Sequence, residues 1–198
     1  MKLILMIASL FLLSGCTTTK PSVTEYRVVA KNINTNSRAD GYLDKSLKVS
    51  QAFSSSVLMS LKMNYGQDEN KIFSYTESQW SETPNHAITL QIYEKVRDSN
   101  LFKNVQISKS RSNGDLILEI NIEDFMQYYS EDLKESYANV VISLTLIDLK
   151  TREVLSAKTF KSKVNSTTLN ADGGVEALNA SLSNVLEQSL EWLNGVCK

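Results

Sequence analysis

An α+β fold in two layers, a twisted and mostly antiparallel sheet carrying two amphipathic helices, is what this sequence predicts. Two observations carry that expectation. First, Leu116, Leu118, Ile120 and Ile122 alternate with Ile117, Glu119, Asn121 and Glu123, and Ala138, Val140, Ile142, Leu144 and Leu146 alternate with Tyr137, Asn139, Val141, Ser143 and Thr145. A period of two is the signature of half-buried antiparallel strands. Second, Ile88, Ile92 and Val96 recur at four-residue spacing, and Val175, Leu178, Leu182, Val185, Leu186, Ser189 and Leu193 form a longer helical stripe. Helices with one apolar face need a sheet face to bury it against.

The elements follow in order. Glu25–Ala30 reads as the first strand, and the Asn-, Ser- and Asp-rich stretch Asn32–Asp40 as loop. A strand is expected over Ser46–Gln51, with Leu47 and Val49 on one face. Val57–Asn64 and Lys71–Thr76 read as a strand pair joined by the turn-forming Tyr65–Asn70. Thr83 followed by Pro84 is a helix start, and that helix should run to about Asn100. Lys103–Ser108 alternates, with Val105 and Ile107 expected inward. Ser130–Glu135 links the two clearest strands, and Asp148–Arg152 turns into a third, Glu153–Val164, to complete a meander. The last helix should span about Asp172–Leu193. No repeat or low-complexity tract interrupts residues 25–194, which read as one domain.

The chain begins with Lys2, an apolar run Leu3–Leu13, and Ser14-Gly15-Cys16. A basic start, a short apolar segment and small residues at a cleavage site read as a secretory signal over residues 1–15. The run is about 11 residues, against the roughly 18 or more of a spanning helix. Leu13-Ser14-Gly15-Cys16 also resembles the bacterial lipobox, in which the thiol takes a diacylglycerol and the chain is cut before the Cys. Cys16 is therefore the expected lipid attachment site, and residues 16–24 the lipidated Cys with its polar, Pro21-containing tether. Each buried methylene contributes about 0.8 kcal/mol, and two acyl chains suffice for stable anchoring. No second apolar run of spanning length follows, so the expectation is a soluble domain tethered to a membrane.

The whole chain carries 21 basic and 22 acidic side chains; loss of Lys2 with the signal leaves 20 against 22. A near-neutral chain with no basic block gives no reason to expect nucleic acid as a partner. An apolar content of 42% argues for a packed core over wholesale disorder. With Cys16 committed to lipid, Cys197 is the one thiol left. It reads as incidental to the C-terminal tail, with an intermolecular disulfide or a redox role as the alternative.

The search for catalytic chemistry yields little. His86 is the only histidine, in the first turn of the first helix, and no Gly-x-Ser-x-Gly elbow supplies a nucleophile for it. One His and one unlipidated Cys do not make a usual zinc site. Gly173-Gly174 lacks the Lys-Ser/Thr of a phosphate loop and reads as shaping the entry to the last helix. Glu123 and Asp124, being adjacent on a strand, should point to opposite faces, while Glu119 and Glu123 should share a solvated one. Phe125, Tyr128 and Tyr129 read as core edge or hairpin packing, with the rim of a lipid- or partner-binding surface as the alternative. Neither an enzymatic activity, a cofactor nor a metal is expected.

Three stretches carry a resemblance to a known family. They are Lys71-Ile-Phe-Ser-Tyr-Thr-Glu-Ser-Gln-Trp80, a strand leading to a Trp; the helix from Pro84 ending in Asn100-Leu-Phe-Lys-Asn-Val105; and Leu116-Ile-Leu-Glu-Ile-Asn-Ile-Glu-Asp-Phe125, a long strand ending in Asp-Phe. With the strand, turn, strand and helix that follow, they make most of Glu25–Leu193 resemble the auxiliary lipoproteins of ABC-type lipid transporters. That family includes the third component of the paraquat-inducible system. The loop Asn32–Asp44 departs from the family by lacking a Pro near the early strand.

The resemblance implies a fold similar to the N-terminal domain of TolB and a non-enzymatic role in lipid transport. It implies as partners an ABC permease with its ATPase and a periplasm-spanning MCE-domain protein. In this family the lipoprotein docks or extends the conduit at the outer membrane, in some members as a ring-like homo-oligomer. Thr17 in place of Asp after the lipidated Cys matches the enteric sorting rule for the periplasmic face of the outer membrane. A lipoprotein regulator of cell-wall synthesis with a TolB-like domain is the alternative, and the short tether Thr17–Thr24 favours transport. A periplasmic hydrolase is the weakest reading, because His86 has no visible partner.

Overall fold

The structure, a computed structural model, describes residues 22–31, 33, 42–68 and 70–196. The signal segment 1–15, Cys16, tether residues 17–21, most of the Asn32–Asp40 loop and Cys197 lie outside the described residues.

Nine strands are described: β1 (Thr24–Tyr26), β2 (Tyr42–Val49), β3 (Phe53–Ser54), β4 (Lys62–Gln67), β5 (Lys71–Trp80), β6 (Phe102–Ile107), β7 (Leu116–Tyr129), β8 (Ser136–Asp148) and β9 (Val154–Asn165). Two helices join them, α1 (Pro84–Asp98) and α2 (Ala171–Val196).

The 14-residue β7 is the spine of the sheet. One of its edges pairs antiparallel with β8 from end to end, and β8 pairs antiparallel with β9. The other edge is shared by three short parallel partners: β2 beside Leu116–Leu118, β3 beside Asn121–Ile122 and β4 beside Gln127–Tyr129. The sheet forks there. One branch continues through β2 to a parallel β6, the other through β4 to an antiparallel β5 and a parallel β1. The long ladders are thus the antiparallel ones, while the parallel pairings join segments distant in sequence.

Both helices cover one face of this curled sheet. α2 packs on β8, β9 and β7, and α1 on β6, β2 and β7. Each even-numbered residue from Leu116 to Ile122 and from Ala138 to Leu146 is buried there, as their alternation predicts. Ile88, Ile92 and Val96 of α1 and the whole expected stripe of α2 are buried against them. α1 starts where Thr83, extended at φ −61° and ψ 132°, offers its carbonyl to the N–H groups of His86 and Ala87. It stops two residues short of the expected end, with Asn100 at φ 55°.

Four local expectations are corrected. The first strand ends at Tyr26 and not Ala30, because Val29, Ala30 and Lys31 give their N–H groups to Asn179 Oδ1, Gln91 Oε1 and Ser183 Oγ. Val28 and Ala30 are buried all the same, as part of a strap across the helix layer. Ser56–Met59 is a 3₁₀ turn, closed by Leu58 N–H to the Ser55 carbonyl, so the strand expected over Val57–Asn64 begins only at Lys62. In β6 the buried residue is Phe102, while Ile107, the last position before the turn at Ser110, is 40% exposed.

Glu123 and Asp124 make the fourth departure from expectation. The β7–β8 register passes from Ile122↔Ile142 to Asp124↔Val141, leaving Glu123 as the extra residue of a bulge. Glu123 accepts a hydrogen bond from Ser143 and Asp124 one from Asn139, both on the helix-free face of β8. The two carboxylates therefore share the outer face, and beyond the bulge it is the odd positions, Phe125 and Gln127, that point inward.

Candidate functional site: the β1 edge and the aromatic clusters

Cys16 lies outside the described residues, and the first described residues after it are Ser22 and Val23, leading into β1. Three ladder pairs, Thr24↔Ser78 to Tyr26↔Trp80, place this strand on the outer edge of β5. Tyr26 Oη donates to the Asp172 carboxylate (2.7 Å), which raises the phenol's pKa, and Asn179 Nδ2 donates back to the Arg27 carbonyl (3.4 Å). With the strap bonds, these contacts fasten residues 26–31 to both helices.

At the same end of the molecule, the inner face of β4, β5 and β7 carries a cluster of aromatic rings. Tyr65 packs against Phe73 (centroids 5.5 Å), Tyr75 (4.7 Å) and Tyr129 (5.3 Å). Tyr75 Oη donates to Gln127 Oε1 (2.9 Å) and meets Tyr129 Oη at 2.7 Å. Gln127, fully buried, passes the network on through Nε2 to Ser136 Oγ (3.0 Å) and the Asn170 carbonyl (3.4 Å). Burial and the Tyr129 hydroxyl push the Tyr75 phenol well above its ordinary value. Phe73 remains 42% exposed and Ile72, on the opposite face, 57%.

The outer face at this end has its own stack. Tyr128 lies over the bare Gly66 of β4, stacks on Tyr137 of β8 (5.5 Å, 21°), and Lys163 Nζ of β9 sits 3.4 Å from the Tyr137 centroid. Tyr128 Oη (2.9 Å) and Asn139 Nδ2 (2.7 Å) both donate to Asp124 Oδ2. Burial raises the pKa of that carboxyl, and the two hydrogen bonds pull against it. Both ring faces of Tyr137 and of Tyr128 are thereby occupied, so this stack binds the strands together more than it offers a cage to a ligand.

Other residues singled out by sequence fall as follows. His86 is half-exposed and its Nδ1 is hydrogen-bonded with Glu82 Oε1, a partner four residues back that the sequence reading overlooked. An acid at i−4 is the signal that could have found it. Gly173 and Gly174 are buried at the start of α2, and a Cβ at either would collide with Thr168 or Gln127, so close packing explains both. Glu119 is exposed on the outer face, as expected. Phe125 is core, tilted against Trp80 at 5.7 Å, whereas Tyr128 and Tyr129 belong to the two clusters on opposite faces. Among the described residues, no group of three or more His, Cys, Asp or Glu could hold a metal ion, and no helix is long and apolar enough to cross a membrane.

Comparison with known proteins gives this arrangement a context. The family model described as the ABC-type transport auxiliary lipoprotein component matches residues 31–188. The fold is similar to the crystal structure of a Xanthomonas campestris protein, with 16% identity over 89% of this chain and 94% of that one, at a TM-score of 0.70. It is also similar to the crystal structure of an uncharacterized protein, with 10% identity over 86% of this chain and 98% of that one, at a TM-score of 0.65. The search of curated proteins returns no match.

Proposed function

The chain belongs to the family of ABC-type transport auxiliary lipoproteins, and from that premise we propose that it is the lipid-anchored, non-enzymatic subunit of an ABC/MCE-type lipid transport system. In this reading it sits on the periplasmic face of the outer membrane and docks or extends a conduit built by an MCE-domain protein and its permease. The family match over residues 31–188 is the observation that carries it.

Two structural features support the reading. Thr17–Val23 is all that separates Cys16 from β1, a reach of at most about 25 Å when fully extended. A domain fastened through β1 and its strap therefore stands close to the bilayer. In the strand order β1-β5-β4-β7-β8-β9, the opposite edge is β9, about 24 Å away at ordinary strand spacing. β9 thus lies on the edge away from β1, where a partner subunit would be met.

The test is a crosslinked, detergent-solubilised pull-down from native membranes, with Cys16→Ala as control. Recovery of an MCE-domain protein with its permease, weakened in the control, is the expected outcome. Recovery of peptidoglycan synthases without transporter subunits would overturn the proposal in favour of cell-wall regulation.

A further inference from the structure

The row of strands along β7 is broken at Gln51–Ala52. β2 leaves β7 after Leu118, whose carbonyl still accepts from Ser50 N–H (3.0 Å), and β3 rejoins it at Asn121. In between, the chain dips toward the helix layer: Ala52 is buried, and its N–H donates to Thr89 Oγ1 of α1 (2.9 Å). That dip leaves a depression of about 360 Å³ on the outer face, among Gln51, Phe53, Glu119, Asn121, Ser143 and Thr145. The volume falls within the roughly 300–1,000 Å³ of small-molecule sites.

Strand register builds its floor and its wall. Phe53, Asn121, Ser143 and Thr159 stand in one cross-strand row, and Glu119, Thr145 and Ala157 in the next. Apart from Glu119, the floor is therefore made of short side chains. Phe53 rises at its edge, 75% exposed, and the β3 ladder fixes the backbone beneath the ring. Among the described residues, the side chains of Glu119, Asn121 and Thr145 make no hydrogen bond within the protein, while that of Ser143 is engaged by Glu123 and Thr159.

We infer that this depression binds a neutral, polyhydroxylated ligand: a sugar unit, carried either by an envelope glycan or by a glycolipid headgroup. The lining selects that chemistry. No Lys or Arg lines the depression to meet an anion, and a single carboxylate is a poor match for a polycation. One aromatic ring among hydroxyl, amide and carboxylate groups does not suit an acyl chain, which would leave those groups without partners. A sugar presents an apolar C–H face to a ring such as Phe53 and hydroxyls that both donate and accept. Glu119 supplies acceptors, while Asn121 and Thr145 supply both donors and acceptors. The inference does not rest on the transport reading.

Saturation-transfer NMR on the full mature lipoprotein in nanodiscs tests it, with N,N′-diacetylchitobiose as soluble probe and nanodiscs containing monoglucosyl diacylglycerol as lipid probe. Transfer to the sugar C–H protons is expected, with affinity weakened about tenfold or more in Phe53→Ser and in Asn121→Ala. Either variant suffices if the other misfolds. A response to the soluble probe assigns a glycan and a response to the lipid probe assigns a headgroup. No transfer from either probe, or transfer unchanged in a folded variant, overturns the inference.

Discussion

Gly174, in the first turn of α2, lies so close to the side chain of Gln127 on β7 that a Cβ there would overlap Gln127 Oε1. That oxygen accepts from Tyr75, and the same amide donates to Ser136, so one bare helix position keeps the polar network around the fully buried Gln127 intact. Gly174→Ala should displace Gln127 and cost about 1–3 kcal/mol through broken buried hydrogen bonds and overpacking. Gly195, also in α2, has nothing within 4 Å of its would-be Cβ. Gly195→Ala should be neutral or stabilising by up to about 1 kcal/mol. Urea midpoints of the two variants check the contrast; similar midpoints would contradict it.

A related contact sits across the sheet, where a Cβ at Gly66 would come within 2.6 Å of Tyr128 Cδ1. Tyr128 cannot swing aside freely, being stacked on Tyr137 and bonded to Asp124. Gly66→Ala should therefore destabilise by about 1–3 kcal/mol. In a double-mutant cycle with Tyr128→Ala, most of that cost should vanish, because the clash goes with the ring. Additive thermal shifts would mean that the ring does not press on Gly66.

Asp124 gives a pH dependence of definite sign. Burial raises its folded pKa above the ordinary value of 3.8, so between those two values the folded state binds more protons than the unfolded one. Stability from this group is fully present below about 3.8 and is lost as pH rises through the folded value. Asp124→Asn keeps an acceptor for Tyr128 and Asn139 but removes the titration. Relative to the variant, the native protein should lose stability between pH 3.5 and pH 7, as denaturant midpoints at the two pH values would show. A gap that stays constant or closes would refute the assignment.

Thr89 Oγ1 accepts from Ala52 N–H and donates to the Asn85 carbonyl (2.7 Å). Thr89→Val keeps the shape but strands a buried N–H, at a cost of about 1–3 kcal/mol. The Ala52 amide should then exchange with deuterium faster than the neighbouring β2 amides. Unchanged protection would show that Thr89 is not what holds the dip.

Much of this architecture is legible in the sequence. The alternation from Leu116 to Ile122 and from Ala138 to Leu146, and the stripes of both helices, follow from which side chains must leave water, and each is buried. What escapes local reading depends on distant partners. Val28 and Ala30 alternate as a strand would, yet their neighbours' N–H groups are satisfied by helix side chains and not by a ladder. The bulge at Glu123 inverts the inward parity of β7, and the change from Ile122 to Phe125 as successive core residues was its only trace. The parallel pairings of β7 with β2, β3 and β4 leave no local periodicity at all. At the candidate sites, Cys16 stands out by motif, whereas the depression beside Phe53 exists only once register brings Asn121, Ser143 and Thr145 together.

The central claim, a lipid-anchored subunit of a lipid transporter, is tested most directly by following phospholipids pulse-labelled with radioactive acetate as they equilibrate between separated inner and outer membranes. Cells lacking the chain and cells carrying Cys16→Ala should show the same altered equilibration, restored by the native chain. Equilibration identical to the native strain in both would contradict the account.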